Sequence, residues 1–204
     1  RIPVMQSVKK AEPILATKVG PKPYLPMEGA PNFRAVVPPL LWGEDHPAIA
    51  AGRIACMQAV GSSGGLKVGA DFIHTWFPGS EIWVSDPTWD NHKAVFDGAG
   101  LKVHTYPYYD PATGGLRFDA MRDALATLPP NSVVLLHACC HNPTGADLTK
   151  AQWDALIPVL KARQLIAFLD MAYQGFGDGI AEDAYAVRAL TDAGLSFFVA
   201  NSFS

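Results

Sequence analysis

The sequence predicts an α/β fold in which a mostly parallel sheet is covered by helices on both faces. Short apolar runs alternate with longer segments of helical periodicity along most of the 204 residues. The runs are largely apolar, as is typical of parallel strands that are buried on both faces. Polar residues and glycines follow several of them, where parallel strands of α/β proteins bind ligands. We therefore expect a three-layer domain with a ligand site along one edge of its sheet.

The overall composition argues against several classes of partner. Hydrophobic residues make up 49% of the chain and charged residues 17%, as in ordinary globular proteins. The net charge of −3 gives no reason to expect a nucleic acid or an anionic membrane as a partner. No apolar run approaches the roughly 18 residues that a membrane span needs.

The three cysteines, Cys56, Cys139 and Cys140, do not suggest a disulfide framework, because two are adjacent and the total is odd. Free thiols favour a reducing compartment, and we expect the protein to be cytoplasmic. His137 and His141 flank the adjacent pair, but this spacing does not match a zinc site. The sequence therefore predicts no metal.

Two helices and an extended segment are predicted at the start of the chain. Apolar residues at helical spacing predict a helix from Ser7 to Lys18. Three prolines in GPKPYLP predict an extended segment from Gly20 to Pro26, which exposes Tyr24. A second helix, over about Ala30 to Val37, is expected to end at the Pro38-Pro39 pair.

A glycine-rich segment, Gly61 to Gly65, is predicted to turn the chain between a strand, Arg53–Val60, and a helix over about Leu66 to Trp76. Glycines let a ligand approach the backbone closely, and a helix start presents free N–H groups to an anion. The pattern matches neither the dinucleotide-binding nor the P-loop fingerprint. It is therefore either a plain turn or an anion site that is not primarily for a nucleotide.

Strands and helices then alternate regularly to the end of the chain. Strands are predicted at 82–85, 103–106, 133–136, 165–169 and 197–200. Helices are predicted at about 91–96, 118–128, 150–162 and 182–193. No repeat or low-complexity segment interrupts this order, which indicates one domain over residues 1–204. Because the first residue is Arg1 and the pattern breaks off at Ser204, we expect a domain that is incomplete at both ends.

Several residues that follow predicted strands have an ordinary structural interpretation beside a functional one. Asp170 ends an apolar run, where a carboxylate either caps a helix or binds a ligand, and Tyr173 follows it. Trp89 either packs in the core or stacks on an aromatic cofactor. Asn142 precedes a proline and is either a turn residue or a polar group that projects from the strand end.

Four motifs occur in an order that resembles a known family. They are YLPMEG, VSDPTW, HNPTGADLT and DMAYQGF, and the sequence closes on NSFS after an apolar run. Together they closely resemble the fold-type I pyridoxal-phosphate aminotransferases, and within them the aspartate and aromatic-amino-acid branch. The resemblance covers essentially the whole chain. It implies the cofactor-binding large domain of that fold and pyridoxal 5′-phosphate as the cofactor.

The resemblance assigns the cofactor phosphate to the glycine-rich segment and to the end of the chain. The residues at the matching positions are Gly61, Ser62, Ser63, Ser202 and Ser204. In the family a lysine follows this serine motif and carries the cofactor as a Schiff base, so we expect lysine directly after Ser204. Without that lysine the 204 residues alone are expected to bind the cofactor at best, and not to transaminate.

The resemblance assigns the cofactor ring to five further residues. Trp89 is expected to stack on the ring, and Asn142 and Tyr173 to hydrogen-bond its phenolic oxygen. Asp170 is expected to hold the proton on the ring nitrogen, with His92 behind it as a supporting partner. Asp170 and Tyr173 are thus the expected catalytic residues, and Trp89 and Asn142 are also expected to bind the substrate.

A homodimer is implied as well. In the family a tyrosine in the position of Tyr24 reaches the phosphate of the neighbouring subunit, which places residues 1–29 at the dimer interface. The expected substrates are an amino acid and a 2-oxo acid.

The substrate class implied is aromatic amino acids, and also aspartate, with 2-oxoglutarate as acceptor. Ile2 and Ser63 favour the aromatic branch, because they stand where the aspartate branch commonly has threonine. The alternatives are an aspartate-specific aminotransferase, another fold-type I enzyme such as a lyase or decarboxylase, and a non-catalytic cofactor-binding fragment.

Overall fold

A parallel sheet forms the centre of the computed structural model, which describes residues 3–203. The strands in this part of the chain are β1 (Ile82–Asp86), β2 (Val103–Pro107), β3 (Tyr109–Asp110), β4 (Gly115–Leu116), β5 (Val133–His137), β6 (Ile166–Met171) and β7 (Phe198–Asn201). Five of them pair in the order β2-β1-β5-β6-β7, and every pairing is parallel. The short strands β3 and β4 form a separate antiparallel hairpin.

Helices connect these strands. Those in the described residues are α1 (Gln6–Thr17), α2 (Pro31–Trp42), α3 (Pro47–Ala50), α4 (Gly61–Trp76), α5 (Asp90–Asp97), α6 (Phe118–Leu125), α7 (Lys150–Ala162), α8 (Ile180–Asp183) and α9 (Tyr185–Asp192). The start of α7 is fixed by a capping box, in which Thr149 and Gln152 satisfy each other's backbone N–H groups. Between residues 3 and 203, no helix combines the length and the apolar character needed to cross a membrane.

The sheet separates two hydrophobic clusters, one on each face. Along β5, Val133 and Leu135 belong to the cluster formed with α4 and α5, whereas Val134 and Leu136 belong to the cluster formed with α6, α7 and α9. Successive side chains of a strand point to opposite faces, so a run of apolar residues is needed to cover both. The predicted three-layer α/β architecture is confirmed.

The strand order creates a cleft at one place in the sheet. The chain runs from β1 outward to β2 and then returns across β1 to β5, so the direction of winding reverses between β1 and β5. The connections on the two sides of this reversal leave the carboxyl ends of β1 and β5 open, which is where open α/β sheets bind ligands.

Two predictions about the N-terminal part are wrong. Residues Arg53–Val60 form no strand, because they pair with none of the described strands; their side chains are mostly exposed, and Gln58 N–H donates to the Glu28 carbonyl at 2.8 Å. The helix predicted to end at Pro38 and Pro39 continues to Trp42, because burial of Leu41 and a 2.7 Å hydrogen bond from Trp42 Nε1 to Thr191 outweigh the lost backbone donors.

Other boundaries also differ from the prediction. Helix α4 begins at Gly61 rather than Leu66, so the glycine-rich segment is its first turn and not a separate loop. The helix predicted over 182–193 is divided at Ala184 into α8 and α9. Strand β6 extends to Met171, so Asp170 lies within the strand instead of directly after it. The hairpin and α3 were not predicted.

Helix α4 packs unusually close to the sheet at Gly69. A Cβ atom at this position would lie 2.5 Å from Cζ and 2.7 Å from Cε1 of Phe168. The Phe168 ring is 1% exposed and packs against Phe96 and Phe198, so it has little room to move. The lack of a side chain at Gly69 therefore sets how near the middle of α4 comes to the sheet.

We expect Gly69→Ala to destabilise the protein. Overpacking of this kind costs about 1–3 kcal/mol, which exceeds the gain of about 1 kcal/mol that alanine brings to a helix interior. The control is Gly115→Ala, where a Cβ would meet only Thr113 Oγ1 at 3.4 Å, an ordinary van der Waals contact, and which should change stability by less than about 0.5 kcal/mol. Denaturant unfolding measures both. Equal stability of the two variants would show that α4 does not need this close approach.

Candidate functional site

A cavity lies at the carboxyl ends of β1, β5 and β6, beside the start of α4. Its volume is about 190 Å³. The residues that line it are Ser62, Ser63, Trp89, His137, Cys139, Asn142, Asp170, Ala172 and Tyr173. Six of these are residues that the sequence predicted for the site. They come together because the parallel strands all end at the same edge of the sheet.

Asp170 is the most enclosed charged group of the cavity, with 5% of its surface exposed. Its Oδ2 accepts a 2.9 Å hydrogen bond from Nε2 of the fully buried His92, and Nδ1 of that ring lies 2.7 Å from the Thr88 hydroxyl. A neutral ring with its proton on Nε2 satisfies both contacts. The other carboxylate oxygen, Oδ1, is buried without a hydrogen-bond partner among residues 3–203.

His137 lies beside Asp170 and was not predicted as a site residue. It is paired with Asp170 in the register of β5 and β6, and neighbours in register place their side chains on the same face. Neither ring nitrogen has a partner within the described part of the chain. Burial, and next the proximity of His141 and His92, lower the His137 pKa well below its usual value, so the ring is neutral at pH 7.

His141 continues this row of rings, with its centroid 4.2 Å from that of His137. Both of its nitrogens are engaged, Nε2 with Ser85 Oγ and Nδ1 with Thr144 Oγ1, each at 2.8 Å. Tyr108 stacks on its outer face at 4.1 Å. Burial is the main cause that lowers the His141 pKa to about 4. The ring is therefore a neutral connector and not a source of charge.

Asn142 reaches the cavity from a loop that is held by one carboxylate. Asp147 accepts backbone N–H groups from Cys140 at 2.6 Å and from His141 at 2.7 Å. Cys140 has a left-handed backbone with φ of 50°, which is uncommon for a residue with a side chain. Two charge-assisted hydrogen bonds at this point offset that cost and fix the backbone that leads into Asn142.

Trp89 and Tyr173 form the sides of the cavity. Trp89 precedes the first turn of α5, and its ring meets the His92 ring edge to face at 5.3 Å. Tyr173 follows β6 and keeps 41% of its surface exposed. Both therefore combine a fixed backbone position with a ring that is open to a ligand.

The start of α4 presents small residues to the cavity. Gly61 has φ of 62°, and a Cβ at this position would come within 4.0 Å of Ser202 Oγ. Ser62 and Ser63 line the cavity directly. The first backbone N–H groups of this 16-residue helix lack carbonyl partners within the helix and can bind an anion. Ser204 lies outside the described residues.

Tyr24 is not brought to the cavity. It lies in the segment between α1 and α2, and its side chain is fully exposed. Val19, Leu25 and Met27 in the same segment are also exposed. Residues 20–26 form neither helix nor strand, and both their extended conformation and the role of the tyrosine stay predictions.

Two groups of side chains bring potential metal ligands within 4.8 Å of one another among residues 3–203. They are His92, His137 and Asp170, and separately Cys139, Cys140 and Asp183. The absence of a metal was predicted from the sequence and stays a prediction.

Comparison with known proteins gives a consistent result. A family model described as aminotransferase class I and II matches residues 1–204. The aromatic-amino-acid aminotransferase of Escherichia coli (strain K12) is 59% identical, and an aspartate aminotransferase of Pseudomonas aeruginosa is 48% identical, each over all 204 residues. The chain spans about half, 51%, of the length of these relatives.

Solved structures agree with the sequence comparison. An aromatic amino acid aminotransferase from Burkholderia cenocepacia matches with a TM-score of 0.97 and 59% identity, over 100% of this chain and 51% of that one. An aromatic-amino-acid aminotransferase from Burkholderia pseudomallei, covalently bound to pyridoxal phosphate, matches with a TM-score of 0.96 and 50% identity, over 99% and 51% of the two chains.

The depressed pKa of His141 leads to a prediction about pH. The ring should stay neutral down to a pH of about 4, whereas in the unfolded chain it takes up a proton near the ordinary value of about 6.5. The unfolded state thus binds more protons between these values, so stability should fall as the pH falls from about 6.5 to about 4 and then level off. NMR titration of the imidazole, combined with denaturant unfolding, measures both effects.

The matched variant is His141→Gln, which keeps polar groups at this position but does not titrate in this range. Its stability should decline less steeply over the same interval than that of the unmodified protein. A His141 ring that protonates near pH 6.5 in the folded protein would contradict the neutral state that is assigned to it.

Proposed function

The chain belongs to the aminotransferase class I and II family, and we propose that its parent protein transfers the amino group of an aromatic amino acid, or of aspartate, to 2-oxoglutarate. One observation carries the proposal. A buried carboxylate with one unpaired oxygen, Asp170 Oδ1, lies in a cavity walled by an exposed tyrosine and a tryptophan. A protonated ring nitrogen is the kind of partner that this oxygen lacks.

The family depends on pyridoxal 5′-phosphate, and the residues of the cavity fit this cofactor. The lone oxygen of Asp170 suits the ring nitrogen, the α4 start with Ser62 and Ser63 suits the phosphate, and the Trp89 ring suits the flat face of an aromatic cofactor. When bound, this cofactor supplies an electron sink that weakens the bonds at the amino-acid α-carbon.

Asp170 would hold the proton on the ring nitrogen. Keeping a pyridine nitrogen protonated at neutral pH requires its pKa to rise by roughly two units, which corresponds to about 3 kcal/mol. A hydrogen bond to a charged group contributes about 1.5–3 kcal/mol, so one carboxylate supplies most of this. His92 orients the carboxylate through Oδ2 and leaves Oδ1 for the cofactor.

The remaining residues would orient the cofactor and the substrate. Gly61, Ser62, Ser63 and Ser202 would hold the phosphate, and the first N–H groups of α4 complement its charge. Asn142 and Tyr173 would donate hydrogen bonds to the phenolic oxygen and keep it as an anion. These assignments are proposals, as is a phosphate contact from Ser204 and the lysine expected directly after it.

Trp89 and Asn142 would also contact the substrate. An aromatic side chain of the substrate would add stacking area against the ring wall of the cavity. Ser63 supports the aromatic preference, and Ile2, the second residue that supports it, lies outside the described residues. The relatives named for both aromatic amino acids and aspartate support a range that includes both.

We also propose a homodimer in which Tyr24 completes the site of the other subunit. The segment that carries Tyr24 is exposed, rich in proline and neither helix nor strand, and α1 before it buries none of its residues in this chain. A second copy would bury residues 1–29 and give the tyrosine hydroxyl a phosphate as partner. The cysteines in the described residues are free thiols, which supports a reducing compartment, the cytoplasm.

Replacing Asp170 tests the proposed chemistry. Asp170→Asn keeps the shape and a hydrogen-bonding group for His92 but removes the charge, so turnover in the full-length protein should fall by roughly 100-fold. Asp170→Glu keeps the charge at a changed distance and should retain more activity. The control, Asp97→Asn on the exposed surface of α5, should leave turnover unchanged. Near-normal turnover of Asp170→Asn would contradict the proposal that Asp170 holds the proton on the ring nitrogen.

Mixing two defective proteins tests the shared site. Subunits with Tyr24→Ala and subunits with Asp170→Asn should each assemble into weakly active dimers. If Tyr24 acts on the other subunit, a mixed dimer has one site with both lesions and one with neither, so random mixing should restore about a quarter of normal activity. No gain over the parent variants would show that Tyr24 acts within its own subunit or not at all.

A further inference from the structure

Two adjacent thiols lie between the cavity and a neighbouring groove, and neither has a part in the proposed reaction. Cys139 is 5% exposed and lines the cavity. Cys140 is half-buried and lines an open groove of about 440 Å³ together with Pro143, Tyr173 and Phe176. The pair is thus reached from the groove through Cys140 and borders the cofactor space through Cys139.

The two sulfur atoms lie close together although the residues are adjacent. The two sulfur atoms and a carboxylate oxygen of Asp183 all lie within 4.8 Å of one another, and Cys140 Sγ donates a weak hydrogen bond to the Tyr173 carbonyl at 3.9 Å. The backbone of Cys140 is left-handed, and its N–H donates a hydrogen bond to Asp147 Oδ2. The pair is therefore organised before any ligand arrives.

Asp183 is not available as a third ligand. Its Oδ2 accepts backbone N–H groups from Gly175 and Gly177 at 2.8 and 3.0 Å, and its Oδ1 accepts that of Asp178 at 2.8 Å. In this part of the described chain the donor set is two thiols. Zinc sites in proteins need three or four ligands, whereas soft centres favour sulfur and are satisfied by fewer.

Protonation favours one kind of soft centre. Burial is the main cause that raises the pKa of both thiols above the ordinary value, so both carry their protons at neutral pH. Metal cations must displace those protons to bind. A trivalent arsenical that carries an oxygen can accept the two thiol protons on that oxygen, which then leaves as water.

We propose that Cys139 and Cys140 form a chelating site for a soft metalloid centre of the trivalent arsenical class, and that its capture blocks the cofactor cavity. With phenylarsine oxide as the probe, two As–S bonds form, the bond between arsenic and oxygen breaks, and the two thiol protons leave with that oxygen as water. The oxidation states of arsenic and sulfur do not change. The blocking, unlike the capture, rests on the proposed function, because it requires the cofactor to occupy the space beside Cys139.

The capture is tested on the full-length protein after removal of the cofactor. Phenylarsine oxide is added with an excess of glutathione, and intact mass with peptide mapping locates the adduct. We expect one arsenic bridging Cys139 and Cys140, released by a small dithiol but not by glutathione. Two linked thiols should retain arsenic about 100-fold better than one, so Cys140→Ser and Cys139→Ser should each lose the adduct. Cys56→Ser, which removes a half-buried single thiol, is the matched control and should keep it.

The blocking is tested by repeating the capture with the cofactor present. At roughly 100 times its dissociation constant, pyridoxal phosphate should slow capture about 100-fold, and the arsenic adduct should lose cofactor binding measured by absorbance. An adduct that survives glutathione in Cys140→Ser would overturn the chelating site. Equal capture rates with and without bound cofactor would overturn the blocking. Bridged capture by a protein that binds no cofactor would support the chelating site and count against the proposed function instead.

Discussion

A carboxylate enclosed within an apolar parallel strand is the constraint on which the site depends. Leu169 and Met171 flank Asp170 in β6 and are fully buried. Burial of an ion without a partner costs several kcal/mol. One hydrogen bond from His92 offsets part of this cost and leaves Oδ1 unpaired. The unpaired Oδ1 therefore disfavours folding when the cavity is empty, and it is also the atom that would bind a protonated ring nitrogen. Binding of the proposed cofactor would thus stabilise the folded state in addition to supplying the chemistry.

The scaffold positions this carboxylate through backbone contacts more than through side-chain packing. The register of β5 and β6 sets His137 opposite Asp170, and β6 and β7 set Ala200 on the other side. Gly65 and Gly69 let α4 lie so close to the sheet that a Cβ at either position would contact Ala200 or Phe168. The N–H groups at the start of α4 consequently meet the same edge as the strand ends. Larger residues would move that start away and separate the anion site from the carboxylate.

Sequence reasoning predicted the alternation of strands and helices well because it depends on local apolar patterns. It failed where structure depends on a neighbour. The run Arg53–Val60 has the composition of a strand, but a strand requires a partner, and none of the described strands pairs with it. His137 was missed for a related reason, because only the register of β5 and β6 brings it beside Asp170. The roles of Trp89, Asn142 and Asp170 came from the resemblance, since their residue types alone left an ordinary interpretation open.

The loop after β5 carries both the thiol pair and Asn142 of the proposed cofactor site. Asp147 binds the N–H groups of Cys140 and His141, His141 is held by Ser85 and Thr144, and Asn142 follows directly. Fixing this backbone for Asn142 also fixes the backbone of Cys140, because its N–H is one of the two that Asp147 binds. Conformational entropy that a flexible loop would lose on chelation has therefore already been lost on folding. The fixed backbone that the proposed cofactor site requires is thus the same feature that the proposed chelating site uses.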